Sequence, residues 1–183
     1  KDLKGAISKQ IVKDLQGIKI KGSTEFEVKD LGANKILKDL RTLEGSSVEV
    51  GFPGGEKYKE DPSIDVATLA IIHELGAPKA NIDSRPANRM SYSDNLSAIE
   101  RKSKALYVRV IVQGVPVYKA LSELGAWYEG KLKIAYRKGP FKPIKQATIN
   151  RRRGRSSTPL IDTKTMVNQV QYKVKMGRRG VLA

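Results

Sequence analysis

Two long stretches of helical apolar spacing, separated only by Gly114-Val115-Pro116, constrain this 183-residue chain more than any other feature. From Ala87 to about Gln113, Tyr92, Leu96, Ile99, Leu106 and Val110 recur at the intervals that gather side chains on one helix face. β-branched residues crowd its end, from Leu106 to Val112, and weaken the helical preference there. Val117, Leu121, Leu124, Tyr128, Leu132 and Ala135 make a second stripe, with Trp127 beside it, and Gly139-Pro140 stops it. So short a break predicts a helical hairpin.

Around the hairpin the pattern changes period. Residues 22–29 alternate as a strand, with Phe26 and Val28 on one face, and Val48 to Phe52 alternate again before Pro53-Gly54-Gly55. Between them Ile36, Leu37 and Leu40 place a helix over Leu31 to Leu43, with Gly45 at its stop. After a polar loop, Ile64 to Leu75 reads as a strongly apolar helix with Asp61 or Ser63 as N-cap and Gly76 just past its end. Pro78 to Pro86 is a turn-rich connector, and residues 140–159 read as a long basic loop. Asp162 is positioned to cap a short helix over Thr163 to Val167, and Gln169 to Met176 alternates as a last strand.

The expected fold is α+β. Three or so strands form a small antiparallel sheet, packed on one face by helices that include the long hairpin. Residues 1–20 form a separate arm, in which Leu3, Ile7, Ile11, Leu15 and Ile18 share one helical face and Lys and Asp fill the other. Gly5 and Gly17 weaken that helix, so the arm is expected to need a partner surface. One domain then spans 21–178, followed by a short tail at 179–183. No stretch approaches ~18 consecutive apolar residues, so no membrane partner is expected.

Charge is distributed unequally. Of 35 Lys and Arg and 19 Asp and Glu, residues 131–183 hold 15 basic side chains and a single acid, Asp162. The density peaks at Arg151, Arg152, Arg153 and Arg155, which are expected to be exposed and to face a polyanion, either DNA or an acidic protein surface. The segment also carries Phe141, Ile144, Leu160, Ile161, Met166 and Val170 at structural spacing, so it is expected to fold rather than trail.

Catalytic chemistry is hard to find. Cysteine is absent and histidine occurs once, which removes thiol nucleophiles, thiolate metal sites and two-histidine zinc motifs. His73 sits in the last turn of an apolar helix without a nucleophile elbow or carboxylate pair. It reads as structural, its charge favoured by the helix C-terminus. Gly51-Phe-Pro-Gly54-Gly55 lacks the Lys-Ser/Thr ending of a phosphate-binding loop. Glu56, Glu60, Asp61 and Asp65 are out of register for a calcium loop. No enzyme activity, cofactor or metal is expected.

Several phrases together resemble the head–tail joining, neck and tail-completion proteins of tailed bacteriophages. Val48-Glu-Val-Gly51-Phe52-Pro53 is followed by Val66-Ala-Thr-Leu-Ala-Ile-Ile-His73-Glu74-Leu75-Gly76, similar to that family's "VA-x-IA-x-IHEFG" helix. Ser84-Arg85-Pro86-Ala87 is similar to its "P-x-RPF" entry to a long helix. Pro159-Leu-Ile-Asp162-Thr163 is similar to its "PLIDTG" turn, which follows a Thr- and Arg-rich loop, here Thr148 to Gly154. Leu75 and Ala87 stand where the family has Phe, and Lys164 where it has Gly. The resemblance covers roughly residues 23–176.

It implies a non-enzymatic virion protein, assembled in the host cytoplasm into a ring, often hexameric, at the neck or top of the tail. Its neighbours would be copies of itself, the head connector, and tail-tube or terminator proteins, with the genome passing through the ring. The arm residues Leu3, Ile7, Ile11 and Leu15 would clasp a neighbour, and the arginine loop would meet DNA or an acidic ring. A tail terminator ring is the variant reading within the same class. The alternative from another class is a free nucleic-acid-binding protein. Phe141 is the only aromatic residue between 137 and 171, which argues against a base-stacking platform.

Overall fold

A computed structural model describes residues 32–58, 61–154 and 156–177. The arm with Leu3, Ile7, Ile11 and Leu15, the strand expected at 22–29, Arg155 and the tail lie outside the described residues. The elements in order are α1 (Ala33–Glu44), β1 (Ser47–Gly51), α2 (Val66–Leu75), α3 (Ala87–Ile111), α4 (Val117–Lys138), α5 (Gln146–Arg151), α6 (Thr165–Gln169) and β2 (Gln171–Lys175). The fold is α+β, with the long helical pair α3–α4 packed against a two-stranded antiparallel sheet.

The hairpin forms as its spacing predicts, and the C-terminal part of the α3 stripe, Leu106 and Val110, lies in its seam, but the N-terminal part does not. Ala87, Ser91, Leu106 and Val110 are buried, whereas Tyr92 and Leu96 are exposed. Ala87 and Ser91 lie one turn apart, and Ala87 packs in one cluster with Leu132 and Tyr136 of α4. Small side chains let two helices approach, so the seam follows them and leaves the larger neighbours outside. Arg109 of α3 and Glu123 of α4 form a two-pronged ion pair across the hairpin.

Helix α4 organises the rest. Its first half, with Val117, Ala120 and Leu121, packs with Leu43, Leu106 and Val110. Its second half, with Leu132 and Tyr136, packs with Val66, Leu160, Met166, Val167 and Val170. Between these two clusters the sheet crosses the helix, with Val48 opposite Val174 and Val50 opposite Tyr172. β1 and β2 are distant in sequence, as expected, but only two strands pair among the described residues rather than three. A two-stranded sheet is marginal by itself. Here Glu129 of α4 accepts the Tyr172 backbone N–H at 3.1 Å and ties the ribbon to the helix.

The capping residues differ from those expected. Asp65 caps α2, accepting the Thr68 N–H at 2.6 Å, while Asp61 closes a tight local turn by accepting the Ser63 N–H at 3.0 Å. Helix α6 starts later than expected and has Lys164 as its N-cap, with φ of 63°. Asp162 instead accepts the Gly154 N–H at 2.9 Å. The basic stretch is not all loop, because residues 146–151 wind into α5. The apolar residues within it do pack: Leu160, Met166 and Val170 are buried.

Candidate functional site

The phrases that carry the family resemblance, spread from Val48 to Thr163 in sequence, come together at one corner of the fold. The last turn of α2 supplies His73, Glu74 and Gly76. The Ser84 hydroxyl donates to the Glu74 carbonyl at 2.8 Å, and the Arg85 N–H donates to the His73 carbonyl at 2.6 Å. Gly76 is at φ 77°, and a Cβ there would fall 2.8 Å from the Ser84 nitrogen, so the turn into this segment requires glycine. Phe52, at the end of the first phrase, meets Tyr136 edge to face with ring centroids 5.9 Å apart.

Glu74 has a specific task. No side chain within α3 caps its N-terminus, where Pro86 is the N-cap residue. The Glu74 carboxylate takes that place, accepting the Asn88 N–H at 2.9 Å and the Arg89 N–H at 3.0 Å. A carboxylate is favoured there by both the free N–H groups and the helix dipole. The Asn88 amide adds a 3.2 Å bond to the same carboxylate and donates to the Tyr136 hydroxyl at 3.0 Å. Burial pushes the Tyr136 phenol far above its ordinary range. The His-Glu-Leu-Gly phrase is thus the joint that sets α2 against the long hairpin.

The arginine run divides. Arg151 and Arg153 are exposed, as expected. Arg152 is not: it is half-buried and turned inward. Its guanidinium donates to the carbonyls of Ser156 (3.0 Å), Thr158 (2.7 Å) and Ile161 (3.0 Å) and also to that of Pro159. A planar fork of donors suits four converging carbonyls in a way an ammonium would not. Arg152 therefore holds the turn that ends in Pro159–Thr163, and it is corrected from an outward docking residue to a structural one. Gly154 closes the same turn, since a Cβ there would meet the Asp162 carbonyl oxygen at 2.2 Å.

His73 faces this turn across a cavity of about 130 Å³, lined also by Tyr58, Arg152, Asp162, Lys164 and Met166. Its imidazole is lowered to a pKa of about 4, first by burial and then by the charges of Arg85 and Arg152. The histidine is therefore neutral at physiological pH. This overturns the expectation that the helix C-terminus favours its charged form. Its Nδ1 is buried without a hydrogen-bond partner. Arg85 is only 8% exposed; its Nε has no partner, and its Nη1 donates to the Asp83 carbonyl at a long 3.5 Å.

Sequence reasoning named His73 and Arg152 but not their meeting, and it missed Arg85. The available signal was Arg85 inside a phrase of the same family pattern; nothing in local spacing places it beside His73. Among the described residues no cluster of His, Asp and Glu could hold a metal ion, and no helix is long and apolar enough to cross a membrane. Comparison with family models, curated proteins and solved structures finds no match for this chain.

Proposed function

We propose that this chain is a structural virion protein of a tailed bacteriophage. In this reading it forms a ring at the neck or top of the tail that joins the tail to the head connector, and the genome passes through the ring. The observation that carries the reading is the convergence just described: the residues resembling the family's phrases are the ones that build the α2–α3 joint and the Arg152 turn. Each phrase has a physical task in the same corner, as expected if they belong to one inherited pattern.

Two surface features support an assembly role. Large apolar side chains stay exposed, among them Tyr92, Tyr107 and Val108 on α3, Val112 just past its end, and Ile71 and Leu75 on α2. Lateral contacts between copies would cover them. Arg151, Arg153 and Lys145 are exposed basic side chains able to meet phosphates or an acidic neighbouring ring.

Light scattering on the purified full chain, followed by negative-stain imaging with tails or connectors, tests the reading. Ring-sized particles that dock at a tail end are expected. A chain that stays monomeric and docks on neither would overturn the proposal. Tight, steeply salt-dependent duplex binding by that monomer would favour a free nucleic-acid-binding protein.

A further inference from the structure

Around the cavity between α2 and the Pro159–Met166 segment, basic groups from three distant parts of the chain converge without enough acid to balance them. Arg152 and Lys164 line it with His73, and Arg85 lies close enough for its charge to act on both His73 and Arg152. Asp162 is the one carboxylate in the lining, and one of its oxygens is taken by the Gly154 N–H. Neither Arg85 nor Lys164 has an ion-pair partner among the described residues. A guanidinium more than nine-tenths buried with an unpaired N–H is costly and is tolerated where something else completes it.

We propose that this cavity binds a single carboxylate group, held by Lys164 and the His73 imidazole in the positive field of Arg152 and of Arg85, which is not itself in the lining. The space fits so small a group: about 130 Å³ is several times the ~10–15 Å³ that one water needs. A carboxylate is the smaller anion and sets one negative charge beside Asp162, where a phosphate dianion would set two. Arg152 acts mainly through its field, since its Nη groups are engaged by the four carbonyls. Lys164 supplies an ammonium without an ion-pair partner, and Tyr58 and the paired hydroxyls of Thr163 and Thr165, 2.7 Å apart, also line the cavity. Binding an anion here would also draw a proton onto His73, because the ligand offsets the two guanidinium charges that now oppose it. The inference does not depend on the neck reading.

His73 is the only histidine, so its imidazole resonances report on the site without assignment ambiguity. The probe is sodium acetate, titrated into dilute full-length protein against sodium chloride of equal ionic strength, with the His73 pKa followed by NMR. Acetate is expected to raise that pKa from about 4 by roughly one unit or more, saturably. Lys164→Met is expected to weaken the effect at least several-fold while leaving the melting temperature within a few degrees. No shift beyond that given by chloride, or an undiminished shift in Lys164→Met, overturns the proposal. A shift with inorganic phosphate but not acetate overturns the carboxylate assignment. Raising protein concentration without acetate separates the sources. A concentration-dependent rise that leaves acetate no further shift to add identifies an acidic side chain of a second copy, whereas a concentration-independent site takes a free carboxylate.

Discussion

The ring of Tyr172 lies against Gly125 so closely that a Cβ on the glycine would sit 2.6 Å from the ring's Cδ2, with Val48 Cγ2 at 2.8 Å on the same side. A point where the sheet lies closest against α4 is therefore a point where the helix has no side chain. A glycine in the middle of a 22-residue helix costs about 1 kcal/mol relative to alanine in propensity, and here close packing of the sheet offsets that cost.

Gly125→Ala is accordingly expected to destabilise the protein by about 2 kcal/mol, because overpacking outweighs the propensity gain. Gly130→Ala, five residues on in the same helix and with nothing within 4 Å of the added carbon, is expected to be neutral or stabilising. Urea unfolding of both variants measures the difference, and equal effects would show that the sheet does not set the Gly125 requirement.

Glu74→Ala removes the cap of α3 and leaves two N–H groups and the Asn88 amide without their acceptor. A loss on the order of 2–3 kcal/mol is expected. Glu74→Gln should lose less, since one amide oxygen still accepts. Hydrogen exchange at Asn88 and Arg89 localises the effect, and unchanged protection there would contradict the capping role.

Lys164 occupies a left-handed conformation at φ 63°, and the family resemblance places glycine at this position. Lys164→Gly is expected to stabilise modestly, by about 0.5–1 kcal/mol, through relief of the Cβ penalty. Gly76→Ala, at φ 77° with the Ser84 backbone against it, should go the other way and by more. Thermal melts of the pair test the opposite signs.

The neutral, buried His73 makes stability depend on pH in a definite direction. Its folded pKa of about 4 lies below the ordinary 6.5, so between those values the unfolded chain binds the extra proton. Stability from this group is full above pH 6.5 and falls as pH drops toward 4, by an amount on the order of 2–3 kcal/mol. In His73→Phe that part of the slope should vanish. Unfolding free energies at pH 7, 6 and 5 for the two proteins give the comparison, and parallel profiles would refute it.

Arg152 and its neighbours should separate by assay. Arg152→Lys is expected to lose about 2 kcal/mol or more and to open the 156–161 turn to protease, because an ammonium cannot serve four carbonyls. Arg151→Ala with Arg153→Ala should leave melting unchanged and, under the function proposed above, weaken only salt-sensitive docking to tails or DNA.

Local signals in the sequence determined what local forces control. The turn at Gly114–Pro116, the ends of both long helices, Gly76 and the alternating strands at 47–51 and 171–175 were all legible, because helix period, strand period and breaker residues act within a few positions. The seam of α3 was legible at Leu106 and Val110 but not in the first half of the helix, where hydrophobicity favoured Tyr92 and Leu96 while close approach selected Ala87 and Ser91. Nor could the chain by itself show that Asp65 rather than Asp61 caps α2, or that Glu74 caps a helix in another segment. The arginine run was legible as charge, but whether each guanidinium meets solvent or carbonyls depends on where residues 156–161 lie. Only the tertiary structure decided that, and with it the meeting of His73, Arg85 and Arg152, because long-range electrostatics and packing depend on distances in space that sequence separation does not encode.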